Sequence, residues 1–270
     1  MKQPIPSASP IQEKSEPSVR PKYTVPALEK ALDVLELLSE QAVPMTQAQL
    51  CRALEREPSE LFRTLCALEG RGYLRREGDG AYVLTLKLFE LSRTHSPHEQ
   101  LLRAASTPMR ELVERCRESC HLCVLHRDQV LVLAQVDAPT SIRLSVEAGS
   151  LHSPVGTVSG QVLLAHSPEF EREDVLSRRA DYLRMSAGER RAFQDALATV
   201  RDNGWAYAEG ARFVGGRDLS VPVGAATART QAVLTIASLR GTHTAHEDLF
   251  DFLPVLRQCA ADISRLAGID

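Results

Sequence analysis

An α+β protein in two parts is predicted for this 270-residue chain, and three observations carry the prediction. Residues 26–70 hold three short amphipathic stretches. Residues 73–85 hold two strand-like runs around a Gly-Asp-Gly turn. From about residue 100, helical and strand-like runs alternate irregularly, which favours a mostly antiparallel sheet flanked by helices. With 43% hydrophobic and 25% charged residues, the chain has enough apolar material for a core, so disorder throughout is excluded. The longest apolar runs, such as VLVLA at 130–134, fall far short of the roughly 20 residues that cross a membrane. No apolar stretch follows Lys2, so a secretory signal is not expected, and the cytoplasm is the expected location. There the six cysteines are expected to be reduced thiols.

Residues 1–22 carry Pro4, Pro6, Pro10, Pro17 and Pro21 among polar residues and read as a disordered tail. Its four basic and two acidic residues fit either a solvating tail or a weak DNA-tracking arm. After Pro26, Leu28, Ala31, Leu32, Leu35 and Leu38 recur at helical steps. Thr46 is placed to cap a second helix, QAQLCRALE, and Pro58 with Ser59 to open a third that Gly70 and Gly72 close. Strands follow at Tyr73–Arg76 and Ala81–Thr85, joined by Gly78-Asp79-Gly80. This order, within 23–86, is that of a winged helix-turn-helix DNA-binding domain. A linker helix is expected over 87–99, and the second domain over 100–270.

In that second domain LLRAASTPMRELVERCRES reads as a helix, and HLCVLHRDQVLVLAQV as two strands joined at Arg127-Asp128. IRLSVEAGS reads as a third short strand, with helices at 156–166 and 188–203. SVPVGA and AVLTIAS pair as strands, and EDLFDFLPVLRQCAADISRLAG ends the chain as a helix.

Residues 23–90 hold 8 basic and 11 acidic side chains, a poor sum for a DNA binder. Position matters more than the sum. Arg52 and Arg56 bracket the turn, Arg63 lies one turn into the third helix, and Arg75 and Arg76 lead into the wing, where a docked winged helix meets phosphates and bases. A merely solvated charged face is the plainer alternative. Cys116, Cys120, His121, Cys123 and His126 are close enough in sequence to suggest zinc. In a strand, however, His121, Cys123 and Leu125 share one face while Leu122, Val124 and His126 share the other, so four ligands converge poorly. Buried thiols and a metal or thiol-redox sensor built on Cys116, Cys120 and Cys123 are the two readings of this cluster. There is no HExxH, P-loop, GxSxG or GxGxxG, so neither catalysis nor a cofactor is expected.

SPVGTVSGQVLLAH, residues 153–166, sets small hydroxyl residues and Gly at a helix start, where free N–H groups suit a ligand or serve an ordinary cap. GWAYAEGARFVGGRDLSVPV is a Gly-studded loop entering a strand, lining a pocket or simply turning. In that strand Asp218, Ser220 and Pro222 alternate with Leu219, Val221 and Val223, and Arg217 points away from Asp218.

Taken together, ALEKALDVLELLSE, EPSELFRTLCALEGRGYLRREGDGAYVLTLKLFELS, TVSGQVLLA and GWAYAEGARFVGGRDLSVPV with AVLTIAS resemble, in order and spacing, the IclR family of bacterial transcription regulators over about residues 24–268. The resemblance implies a ligand-responsive, sequence-specific DNA-binding regulator that works as a homodimer or dimer of dimers. It implies a winged helix joined to a GAF-like effector-binding domain that senses a small metabolite. Thr46, Arg52, Arg56, Ser59, Glu60, Phe62, Arg63, Arg75 and Arg76 become the DNA-binding candidates. Thr157, Val158, Ser159, Gly160, Asp218, Thr235 and Ala237 become the effector-binding ones. Val155 stands where relatives commonly carry His, and Asp218 where they often carry a small or thiol residue. Both departures point away from glyoxylate- or pyruvate-like ligands.

Overall fold

The computed structural model describes residues 25–95, 98–210, 214–225, 231–240 and 248–270. The tail assigned to 1–22 lies outside them, as do 211–213 of the Gly-studded loop and 241–247 before the last helix. Two compact units divide at His95 and Ser96.

The first unit is built from α1 (Pro26–Gln41), α2 (Gln47–Ala53) and α3 (Pro58–Gly70), then strands β1 (Leu74–Arg76) and β2 (Tyr82–Leu84), then α4 (Lys87–His95). Apolar residues at helical spacing bury Val34 and Leu38 of α1, Leu50 of α2, and Leu61, Leu65 and Leu68 of α3 against Leu74 and Tyr82. Thr46 closes a capping box on α2 with Gln49, satisfying N–H groups that a helix start leaves open. β1 and β2 pair antiparallel, and Met45 adds a further bridge to Tyr82. In the tight wing turn Gly80 takes a φ of +83°, a conformation that side chains disfavour.

The second unit holds one antiparallel sheet in the order β5-β4-β3-β8-β7-β6. Its strands are β3 (Ser119–His126), β4 (Gln129–Val136), β5 (Leu151–His152), β6 (Ala206–Glu209), β7 (Gly216–Val223) and β8 (Ala232–Leu239). Alternation sends Cys120, Leu122, Val124, Leu219, Val221, Leu234 and Ile236 to one face, under α5 (Glu99–Cys116) and α10 (Leu253–Ala267). Cys123, Val130, Val132 and Val233 go to the other face, under α6 (Val158–His166), α7 (Glu169–Arg178) and α9 (Ala187–Asn203). A four-residue α8 (Ala180–Leu183) sits between α7 and α9.

Several expectations need correction. IRLSVEAGS forms no strand; the short β5 follows it, and loop hydrogen bonds from Gly149 and Val132 join the segment to β4 instead. The Gly-studded loop contains β6, which pairs with Arg217–Ser220. The expected linker helix ends as α4 at His95, and Glu99 already belongs to α5. The last helix starts at Leu253, preceded by a 3-10 turn over Leu249–Phe252. α7 and α8 went unread because their apolar residues are too few to make a stripe. Among the described residues, no helix is long and apolar enough to cross a membrane.

Candidate functional site

Two places gather the candidate residues, one in each unit. In the first, Leu61, Leu65 and Leu68 anchor α3 in the core, so the opposite side of that helix meets solvent. Ser59, Glu60, Phe62 and Arg63 all lie on it, and Phe62 is 52% exposed. An outward phenylalanine costs solubility, yet it is suited to apolar contact with a thymine methyl. Among the described residues neither Arg52 nor Arg63 has a carboxylate partner, so both guanidinium groups remain available.

Other candidates are engaged within the domain. Glu60 pairs with Lys30 of α1 at 3.2 Å, and Arg56 with Asp33 at 3.7 Å. Arg75 pairs with Glu77, two residues on at the start of the wing turn, at 2.9 Å. Arg76 donates to the Tyr82 hydroxyl, lies 4.8 Å over that ring and approaches Glu69 at 3.6 Å. Arg76 therefore braces the wing. Thr46 spends its hydroxyl on Gln49.

In the second unit the helix start at α6 is tied inward. The Thr157 hydroxyl donates to the Ser153 carbonyl at 2.8 Å and accepts from the Gly160 N–H at 3.2 Å. Val158 is core. A Cβ on Gly160 would lie 2.3 Å from the Pro154 Cα and carbonyl oxygen, so the missing side chain is what lets the 153–156 loop close on the helix. Ser159 is buried beside them. Ser153 also donates to Asp181, which takes two hydrogen bonds from Arg179 at 3.1 Å; Arg179 in turn reaches Asp128 at 3.6 Å. Hydrogen bonds and the Arg179 guanidinium outweigh burial and hold the Asp181 carboxyl below its ordinary range.

Asp218, Thr235 and Ala237 come together on the sheet face under α6. Asp218 pairs with Ala237, and Ser220 with Thr235, whose hydroxyls lie 2.7 Å apart. Thr235 in turn faces His121 of β3, and His121 faces Gln135 of β4. A bulge between Leu122 and Cys123 brings Gln135 into that register. His121 is only 6% exposed, and burial, helped by His152, pushes its pKa down to about 4, so it is neutral. Burial and nearby Asp218 push the Cys123 thiol up. Arg217 turns to the opposite face, donating to Ser238 at 2.9 Å. The structure therefore assembles the sheet residues of the effector set; the α6 residues of that set serve the helix cap and the core. Sequence reasoning did not place Gln135 or His121 beside Thr235. Strand alternation already put His121 on the Cys123 face, but the register that joins it to Thr235 and Gln135 depends on pairing distant in sequence.

The cysteine cluster offers no metal site: among the described residues no three His, Cys, Asp or Glu side chains are grouped to hold an ion. Burial raises the Cys116 and Cys120 thiols, and pushes Cys259 up to about 12, so all three stay protonated and behave as small apolar groups.

Two family models match the chain: the IclR helix-turn-helix domain over residues 27–78, and the bacterial transcriptional regulator IclR C-terminal domain over 95–265. The regulator KdgR of Escherichia coli is 27% identical over 250 residues, covering 91% of this chain and 94% of that protein. KdgR of Dickeya chrysanthemi is 28% identical over 204 residues, 74% of this chain and 66% of its own length. The glycerol operon regulatory protein of Streptomyces griseus is 25% identical over 248 residues, 90% of this chain and 97% of that protein. Among solved structures, an IclR homologue from Microbacterium hydrocarbonoxydans in complex with 4-hydroxybenzoate shares the fold, with a TM-score of 0.77 at 22% identity, covering 90% of this chain and all of that one. The Thermotoga maritima IclR structure gives 0.69 at 20% identity, covering 90% and 99%.

Proposed function

Because this chain belongs to the IclR family of ligand-responsive, DNA-binding transcriptional regulators, we propose a division of labour between its two units. Residues 23–86 bind operator DNA, 87–99 link, and 100–270 bind a small metabolite that alters operator affinity. α3 enters the major groove, where Arg63 and Phe62 meet base edges and Ser59 and Glu60 flank them. Arg52, Arg56, Arg75 and Arg76 lie toward phosphates, and Thr46 offers its helix start to the backbone. The observation that carries this reading is the outward placement of Phe62 and of Arg63, which has no carboxylate partner among the described residues, opposite a leucine seam, in a unit followed by a separate effector-type unit.

The effector site comprises Asp218, Thr235 and Ala237 on the sheet, with Thr157, Val158, Ser159 and Gly160 shaping its rim at α6. The Microbacterium neighbour, solved in complex with 4-hydroxybenzoate, supports a small organic effector. The chain acts by binding, without catalysis or cofactor, on the cytoplasmic genome. One winged helix covers a short footprint, so the working form is a homodimer or dimer of dimers on inverted half-sites. Leu28 and Leu32 on α1, with Leu88, Phe89 and Leu91 on α4, are exposed apolar side chains that support this assembly.

Selection of duplex DNA from a random pool by the purified full chain tests the proposal. An enriched inverted repeat is expected, bound by a dimer or larger species in sedimentation. Failure to enrich any sequence at physiological salt would overturn the DNA reading, and a monomer with and without the enriched DNA would overturn the assembly.

A further inference from the structure

Four side chains make one row across the sheet, Gln135 on β4 half-buried and His121 on β3, Thr235 on β8 and Ser220 on β7 buried, each opposite the next. Thr235 and Ser220 satisfy one another at 2.7 Å. Gln135 spends its amide N–H on the Asp137 carboxylate at 3.1 Å. Its Oε1 and the Nδ1 of His121 are both buried without a hydrogen-bond partner. Buried polar atoms in native folds are nearly always paired, because an unpaired one has lost its water and gained nothing. Two such atoms on directly paired residues, at one end of a polar row on the α6 face, leave hydrogen-bonding capacity that no protein group among the described residues meets.

We propose that this row reads the effector through Gln135 Oε1 and His121 Nδ1, and that the effector is a neutral polyhydroxylated molecule. The inference rests on the reading of the second unit as effector-binding. Gln135 Oε1 only accepts, and its orientation is fixed because Asp137 also only accepts and must face the amide N–H. The incoming group must therefore donate. His121 is neutral, so its Nδ1 donates or accepts according to tautomer, and a hydroxyl answers either. A carboxylate answers Oε1 not at all. It would also meet the Asp218 carboxylate one row along the same face, where the strands carry no lysine or arginine: the positions are Ser119, His121 and Cys123 on β3, Val233, Thr235 and Ala237 on β8, and Asp218, Ser220 and Pro222 on β7. Asp218 suits a second hydroxyl donor. The bulge in β4 serves the same end, since the extra residue Leu133 turns with Ala134 to the α5 face and delivers Gln135 opposite His121.

Calorimetry on the full chain with glycerol and xylitol as neutral probes, and pyruvate and benzoate as carboxylates, tests this together with three variants. At least one polyol should bind saturably. His121→Leu and Gln135→Leu should weaken it about tenfold or more, whereas His121→Asn, which keeps a polar atom at the Nδ1 position, should stay within about threefold of the parent. Without ligand, His121→Leu should melt no lower than the parent, because it removes an unpaired buried atom, whereas Gln135→Leu also gives up the hydrogen bond to Asp137. If carboxylates bind and polyols do not, the effector reading stands and this inference falls. If neither class binds, both fall. Equal polyol affinity in all variants, or a lower-melting His121→Leu with parental affinity, would assign the row to the fold alone.

Discussion

Lys30 of α1 holds Glu60 of α3, Nζ to Oε1, at 3.2 Å. This pair resolves an oddity of the DNA-binding unit, whose sequence carries more acids than bases. Glu60 is drawn back toward α1, and Asp33 is likewise occupied by Arg56. The acids near the recognition helix are thus partly neutralised by the domain's own cations. Lys30→Ala should leave the Glu60 charge facing the phosphates and lower operator affinity several-fold, whereas Glu60→Gln should raise it by a similar factor. As a surface pair it contributes no more than about 1 kcal/mol to folding, so neither variant should melt differently by much. Fluorescence anisotropy on labelled operator at two salt concentrations checks the signs; two variants moving affinity the same way would refute the account.

Arg63→Ala should cost about 1–3 kcal/mol of operator binding, because Arg63 stands outward on α3 with no carboxylate partner among the described residues. The loss should appear on specific DNA and little on random duplex. Arg76→Ala should behave differently: Arg76 packs on Tyr82 and near Glu69, so its loss should destabilise the wing as well as weaken DNA binding. A gel-shift titration at fixed salt, paired with thermal melts, separates the two. Parental operator affinity for Arg63→Ala would take that residue out of the interface.

Much of this was legible in the sequence because the local signals are strong. The leucine spacing of α1, the Thr46 cap, Pro58 opening α3 and the Gly-Asp-Gly wing are each decided within a few residues. Alternation in β3 and β7 assigned faces to Cys123 and Asp218 before any contact was known. What stayed hidden depends on distant pairing. β6, from Ala206 to Glu209, is strand only because β7 lies beside it, and Tyr207 and Ala208 alone carry too weak a pattern. The row from Gln135 to Ser220 needs three strand registers and a bulge, none of which a single sequence prints. The α6 residues were legible as a helix start with small residues, but the contacts of Thr157 with Ser153 and the close approach of Gly160 to Pro154 needed the folded loop.

Gly160→Ala should therefore be a folding mutation. The added methyl would meet backbone atoms of Pro154 at 2.3 Å, and backbone cannot step aside as a side chain can. Overpacking of this kind costs typically about 1–3 kcal/mol, enough to lower the melting temperature of the second unit by several degrees. Gly156→Ala is the control, since its nearest neighbours are Ser153 atoms at 3.9 Å. Differential scanning calorimetry of both variants decides it: equal melting temperatures would mean that the loop moves away freely.

His121 gives the second unit a pH dependence whose sign is fixed. Burial first, and His152 second, depress its pKa to about 4, below the roughly 6.5 of an unfolded histidine. Between these values the unfolded chain binds the proton that the folded chain refuses. Stability is therefore complete above about pH 6.5 and falls as the pH drops toward 4, by up to about 3 kcal/mol from this one group. His98, depressed by burial and by His126, acts in the same direction. Asp181 and Asp137, both held below the ordinary carboxylate range, lose their contributions mostly at lower pH, as the solution approaches and passes the unfolded carboxylate value. Urea titrations at pH 7.5, 6 and 5 on the parent and on His121→Asn should show a steep loss in the parent and a shallower one in the variant. Parallel losses in the two proteins would mean that His121 takes up its proton in the folded state as readily as in the unfolded one.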